Sequence, residues 1–253
     1  MVQTISVANL KGGVGKTTSA VNIAACWGEA GKKVLLVDMD PQGSATVSFG
    51  VKSDGNDLLE ALQKTIALPV VQTEADGVDL VPCGPNFAAA RQRFTGAIGN
   101  ELLLRCLKQT HGDWKRVIVD CPPSLGILTM SALWASTHVV IPVEASFLAM
   151  SGLSQMTEII SSVGKHHPAL RLGAIIPCRA HPRRKVHQQI MDQLESLFPG
   201  KVAPPVRENV ALTEAPGRGK PVIYFAARSH GAEDYRQVAS WLGGHLGSVG
   251  DGG

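Results

Sequence analysis

Residues 9–18 read Asn-Leu-Lys-Gly-Gly-Val-Gly-Lys-Thr-Thr, a run with the make-up of an anion cradle. Gly12, Gly13 and Gly15 let the backbone curl its N–H groups around a negative charge without Cβ clashes. Lys16 is then placed to reach β- and γ-phosphates, and the Thr17 hydroxyl to bind Mg²⁺. The general phosphate-loop pattern G-x-x-x-x-G-K-[ST] is met imperfectly, because Leu10 stands where its first glycine belongs. What the chain carries instead is K-G-G-V-G-K-T-T, with a second lysine, Lys11, five residues before Lys16. The run follows strand-like Ile5 and Val7 and opens a helix-like stretch from Ala20 to Ala30, which sets the phosphates at a helix N-terminus.

Two further segments supply carboxylates. Leu35-Leu36-Val37-Asp38-Met39-Asp40 is an apolar strand ending in two acids spaced i, i+2, so both share a face and approach the phosphates from one side. Val117-Ile118-Val119-Asp120 is again a buried strand ending in Asp, the placement of a Walker-B acid that holds Mg²⁺ directly or through water. A lone Asp at a strand end is more often a turn or cap residue. Three of them behind a phosphate loop reverse that preference, and Thr17, Asp40 and Asp120 are the candidate metal ligands.

Elements must hold these groups in place. Strands are expected over 4–8, 33–38, 78–82, 116–120, 138–143 and 172–176, several of them apolar without interruption, as strands covered on both faces are. Helices are expected over 17–30, 57–63, 86–93, 100–109, 126–135, 150–164, 186–198 and about 231–242. This alternation predicts an α/β, doubly wound, mostly parallel sheet flanked by helices. One domain over 1–246 and a Gly-rich tail over 247–253 are expected.

At 253 residues and 44% hydrophobic, the chain is long enough to bury a large core. No run approaches the ~18–20 apolar residues of a membrane span, and the N-terminus leaves no room for a signal peptide. Cys26, Cys83, Cys106, Cys121 and Cys178 are scattered without a C-x-x-C pair, which reads as reduced, packed thiols in a cytoplasm rather than a metal site.

Lys11–Thr18, the D-x-D-P-Q-G of Asp38–Gly43 and the D-C-P-P-S of Asp120–Ser124 together resemble the ParA/MinD family of deviant Walker-A P-loop NTPases. A fourth segment, Leu212-Thr213-Glu214-Ala215-Pro216 through Gly219-Lys220-Pro221, is similar to that family's L-[ST]-E-A-P-x-x-G-K-P. The likeness is strongest to ParA-type partition ATPases of the short form, without an added N-terminal DNA-reading domain. It implies ATP and Mg²⁺ bound by Lys11, Gly12, Gly13, Val14, Gly15, Lys16, Thr17, Thr18 and Pro216. It also implies a homodimer closing face to face on two nucleotides, in which Lys11 crosses to the partner's phosphates much as an arginine finger does. Lys11, Lys16, Asp38 and Asp40 are then the catalytic set, with Asp40 positioning the attacking water and Asp38 supporting it. Hydrolysis is expected to be slow and stimulated by a ParB-like or other cargo adaptor.

Members of this family divide by the surface they bind. The tail Ala239-Ser240-Trp241-Leu242-Gly243-Gly244-His245-Leu246 lacks Lys and Arg, which argues against a membrane-binding amphipathic helix. The densest basic stretch, Arg179, Arg183, Arg184 and Lys185, is joined by Arg207, Arg218 and Lys220 as candidate contacts to DNA phosphates. One departure stands out: Ala211 occupies a position where many relatives carry Arg, so the DNA surface is expected to differ. The expected role is a cytoplasmic, nucleoid-associated switch that positions a plasmid, a chromosome origin or a protein assembly. The alternatives are a MinD-like membrane-associated positioning ATPase and a metabolic P-loop synthetase of the dethiobiotin or cobyrinate type.

Overall fold

The computed structural model describes residues 2–146, 149–181 and 184–247, so Arg183 and the tail beyond 247 lie outside the described residues. Seven strands form one sheet: β1 (Gln3–Val7), β2 (Val34–Asp38), β3 (Val71–Gln72), β4 (Val78–Val81), β5 (Arg116–Asp120), β6 (His138–Glu144) and β7 (Arg171–Cys178). Their order is β3-β4-β2-β5-β1-β6-β7, and every pairing is parallel except that of β3 with β4. The six longer strands match those expected from the apolar runs. The two-residue β3 pairs Val71 with Leu80 at the sheet edge and is too short to leave a periodic signal.

The pleat of each strand sends alternate side chains to opposite faces. Leu35 and Val37 of β2, with Val117 and Val119 of β5, enter the core on one side. Val34, Leu36 and Ile118 enter the core on the other. The first core is closed by α3 (Asn56–Lys64), α5 (Gly96–Gln109), α6 (Ile127–Ala135), α7 (Ala149–Gly164) and α8 (Lys185–Leu197), through residues such as Leu58, Leu103, Leu133, Met156 and Ile190. The second is closed by α1 (Lys16–Glu29) and α11 (His230–His245), through Val21, Trp27, Tyr235, Val238 and Leu242.

Helix α1 is buried almost all round because the sheet covers one side and α11 the other. Trp27 donates its indole N–H to the Ala239 carbonyl at 2.8 Å, and Arg236 grips both oxygens of Glu29 at 2.7 and 2.8 Å. The helix expected over 86–93 is split: Pro85 opens a 3₁₀ turn over Pro85–Ala89, and α4 covers only Ala90–Arg93. Three further helices of four or five residues, α2 (Ser44–Ser48), α9 (Val210–Glu214) and α10 (Val222–Phe225), are too short to persist alone and depend on tertiary contacts.

Candidate functional site at the carboxyl ends of the central strands

The chain leaves β1 and reaches α1 through the Asn9–Gly15 loop. Gly13 and Gly15 have φ of 74° and 97°, a region that side chains rarely enter, and a Cβ on Gly15 would stand 3.3 Å from the Cys178 thiol. A Cβ on Gly12 meets nothing, so that glycine leaves open space above the loop. No side chain caps α1, whose first-turn N–H groups therefore face outward with the positive end of the helix dipole. Lys16, 7% exposed, folds back to donate to the Lys11 carbonyl at 3.0 Å. Asn9 fixes the loop's start by donating to the Pro142 carbonyl and accepting the Lys11 N–H.

Behind the loop stand the acids. Asp38 and Asp120 are register partners on adjacent strands, and both are fully buried. Asp38 is saturated: one oxygen accepts the Asp40 N–H, the other the Thr46 N–H and hydroxyl, both at 2.8 Å. Thr46 in turn accepts the Cys83 N–H at 2.8 Å, so Asp38 anchors α2 to the sheet. The i, i+2 spacing therefore does not put both acids at the cleft. Asp40 lines it, and Asp38 lies behind, holding Asp40 and α2 in place. Burial pushes Asp38 up to about 6, with the Thr46 hydrogen bonds opposing.

Asp120 is the anomaly. Neither of its oxygens has a hydrogen-bond partner of normal geometry. Burial and then the Asp38 charge raise its pKa well above the carboxylate range; the Thr17 hydroxyl opposes this. Lys16 is lowered by burial, against the pull of Asp120, Cys121 and Asp40. Two buried acids beside one buried ammonium leave a negative excess that a divalent cation removes. No group of three His, Cys, Asp or Glu among the described residues encloses a metal by itself. The donor set of Thr17 hydroxyl and Asp120 carboxylate suits Mg²⁺ that arrives with phosphates and keeps its waters.

The cleft, about 490 Å³, is walled on one side by Gly12–Thr18, Asp40 and Ser44. Pro123, Cys178, Arg179, Val206–Asn209, Leu212, Thr213, Pro216 and Tyr235 complete the lining. Every candidate phosphate-loop residue except Lys11 lines it, as does Pro216. Lys11 points elsewhere: its ammonium lies 3.0 Å from Glu144 at the end of β6, with the two side chains 45% and 35% exposed. Outside the cleft lining, Gly219 approaches Gly50 backbone to backbone, and a Cβ on Gly219 would come within 2.8 Å of the Gly50 Cα. That contact joins α2 to the segment after Pro216.

Of the basic candidates, Arg184 and Lys185 are exposed at the start of α8, and Arg218 and Lys220 are exposed beyond Pro216. Arg179 is exposed at the cleft rim with φ of 52°. Arg207 is engaged otherwise, in a fork–fork pair with buried Asp234 that also reaches Glu233. Sequence reasoning named Arg207, as a candidate DNA contact, but not Val206, Glu208 or Asn209 beside it, nor Glu144 or Asp234. The signals close to the Val206–Asn209 wall were Arg207 itself, Ala211 and the Leu212–Pro221 segment that follows.

A phosphate loop with an added lysine, two strand-end acids and this strand order define a P-loop NTPase of the deviant Walker-A kind. A family model described as an AAA domain matches residues 2–172. The sporulation initiation inhibitor protein Soj of Bacillus subtilis is 38% identical over 247 residues, covering 94% of this chain and 97% of its own. The chromosome partitioning protein ParA of Myxococcus xanthus is 37% identical over 238 residues, covering 91% of this chain and 84% of its own. Among solved structures, cobyrinic acid a,c-diamide synthase from Mycobacterium smegmatis with bound ADP and magnesium superposes with a TM-score of 0.80 at 31% identity, over 95% of this chain and 93% of that one. The chain belongs to this family, and within it to the ParA-type partition ATPases. No helix among the described residues is long and apolar enough to cross a membrane.

Proposed function

We propose that this protein is an ATP-dependent dimerising switch that binds DNA without regard to sequence and positions a cargo over the nucleoid of the cytoplasm. The observation that carries the reading is Asp120, a fully buried carboxylate with no hydrogen bond of normal geometry, set beneath an uncapped helix N-terminus beside the Thr17 hydroxyl and Lys16. In this reading Gly12–Thr18 hold the phosphates, and Thr17, Asp120 and Asp40 face the metal. Magnesium, when bound, would be held by the Thr17 hydroxyl with the Asp120 and Asp40 carboxylates and would supply positive charge against the phosphates. Asp40 orients the attacking water, and Asp38 keeps Asp40 and α2 in register. An aspartate this close to a cation is a poor base, so turnover is slow and acts as a timer. Lys11 leaves Glu144 when two protomers meet and contacts the partner's phosphates. Arg179, Arg184, Lys185, Arg218 and Lys220 supply phosphate contacts to double-stranded DNA, and a ParB-like adaptor with a basic segment stimulates hydrolysis.

The test is binding to an arbitrary duplex with ATP, ADP or no nucleotide, at low and moderate salt. Binding only with ATP, weakening steeply with salt, is the expected result. Absence of binding in every state removes DNA from the proposal while leaving the nucleotide site.

A second reading, a nucleotide-dependent amide synthase, is favoured by the 31% identity to the Mycobacterium smegmatis enzyme. Forming an amide requires delivery of ammonia. All five cysteines are buried, and burial raises the pKa of Cys26, Cys83, Cys106, Cys121 and Cys178, so none offers a thiolate to release ammonia from glutamine.

A further inference from the structure

Two neighbouring residues of α11 reach the two walls of the cleft. Asp234 sits inside the helix, where aspartate is a poor helix former, and it is 3% exposed. It accepts the Arg207 backbone N–H at 2.8 Å, the Arg207 Nε on both oxygens at 3.0 Å and the Arg207 Nη2 at 2.6 Å. The segment it grips lies along the end of β7, because Ala180 donates to the Val206 carbonyl at 2.9 Å and accepts the Glu208 N–H at 3.3 Å. The next residue, Tyr235, is 1% exposed and shares a 3.1 Å hydrogen bond with Ser19, one turn beyond the phosphate loop. Ser19 itself donates its N–H to the Gly15 carbonyl at 2.8 Å.

A buried ion pair is a weak source of net stability, since desolvating both charges offsets most of their attraction. A planar fork held at backbone and side chain at once does fix geometry. We propose that Asp234 and Tyr235 are positioning residues that set the gap between the phosphate loop and the Val206–Asn209 wall, so that nucleotide affinity is controlled from α11. This rests on the reading that the cleft takes a nucleotide. It assigns Asp234, through Arg207, to the end of the cleft away from the phosphates, where base and ribose lie, and Tyr235, through Ser19, to the phosphate end.

The two ends are separable with ligands. Asp234→Asn retains an acceptor for the Arg207 N–H but loses the charged fork. Its affinity for ATP and ADP is expected to fall about tenfold or more. Its affinity for inorganic tripolyphosphate, which has neither base nor ribose, is expected to stay within about twofold of wild type. Tyr235→Phe removes only the hydroxyl and is expected to weaken ATP and tripolyphosphate by the same factor. Calorimetric titration of all three ligands into each full-length variant, with Mg²⁺ present, reads the split. If Asp234→Asn does not fold, Arg207→Lys keeps the charge, loses the fork and carries the same expectation. Equal loss on ATP and tripolyphosphate in the Asp234 or Arg207 variant, or no loss on either, overturns the inference. Failure of the wild-type protein to bind ATP at all overturns the nucleotide reading and this inference with it.

Discussion

Lys11 is paired within its own chain, and in the proposed dimer that pairing opposes closure. Its ammonium is 3.0 Å from Glu144, and the pair is 45% and 35% exposed. A pair this open to water contributes about 0.2–1 kcal/mol, far less than its distance alone suggests. Closing a symmetric dimer that takes Lys11 across to the partner breaks two such pairs, about 0.4–2 kcal/mol in all. Glu144→Gln removes that opposition and is expected to tighten the dimer about 2- to 30-fold. The assay is sedimentation equilibrium with a non-hydrolysable ATP analogue at saturating concentration. The gap between wild type and variant is expected to narrow as salt is raised from about 50 to about 500 mM. In a Lys11→Ala background Glu144→Gln is expected to change nothing, because the pair is already absent. A dimer constant that Glu144→Gln leaves unchanged or weakens would refute the reasoning, since Lys11 would then not be exchanging one partner for another.

The other expectations are independent of that pair. Asp40→Ala is expected to retain ATP binding while turnover falls about a hundredfold or more, leaving an ATP-bound dimer; wild-type turnover removes Asp40 from the chemistry. Asp120 has its pKa raised in the folded chain, so the protonated form is favoured there and its burial costs stability as pH rises above the unfolded value of about 4. Metal-free Asp120→Asn is thus expected to melt a few degrees above wild type near pH 8, with the advantage shrinking toward pH 5, and to lose stabilisation by Mg²⁺ with nucleotide. A melting curve without that pH trend contradicts the assigned burial cost. Gly28→Ala places a Cβ 1.9 Å from the Asp76 carbonyl oxygen where α1 passes the 75–77 turn, and is expected to destabilise by about 1–3 kcal/mol, read as a lower urea midpoint. The doubly reversed variant Arg184→Glu with Lys185→Glu is expected to weaken DNA binding and flatten its salt slope by about one per lost phosphate contact, with ATP affinity unchanged. An unaltered slope moves the DNA face elsewhere.

Which parts of this site were legible follows from the range of the interactions that build it. The strands that deliver Asp38 and Asp120 are apolar on both faces, so Val34–Asp38 and Arg116–Asp120 announce themselves within five residues each. The glycines at 13 and 15 are needed by local backbone geometry and are equally visible. Strand order is not local. Asp38 and Asp120 become register partners only because β5 returns between β2 and β1, and no spacing in the sequence records that. The same limit hid Glu144, 133 residues from Lys11, and Asp234, 27 residues beyond Arg207. The basic residue Arg207 looked free because its neutralising partner is on another element.

The buried acids explain why the short helices lie where they do. Asp38 cannot leave the sheet end uncompensated, so it takes the Thr46 N–H and hydroxyl, and that fixes α2 although five residues have too little intrinsic helicity to hold themselves. Gly50, just past α2, in turn meets Gly219, and the close backbone approach leaves no room for a side chain on Gly219. A charge change at Asp40 or Asp120 is therefore connected through Asp38, Thr46 and α2 to the segment carrying Pro216 and Lys220. A run of contacts thus joins the acids behind the cleft to the segment that carries Lys220. Under the proposed function, Gly219→Ala, which forces the Gly50 and Gly219 backbones apart without altering a phosphate-facing residue, is expected to lower the ratio of duplex affinities with ATP and with ADP; an unchanged ratio refutes the coupling.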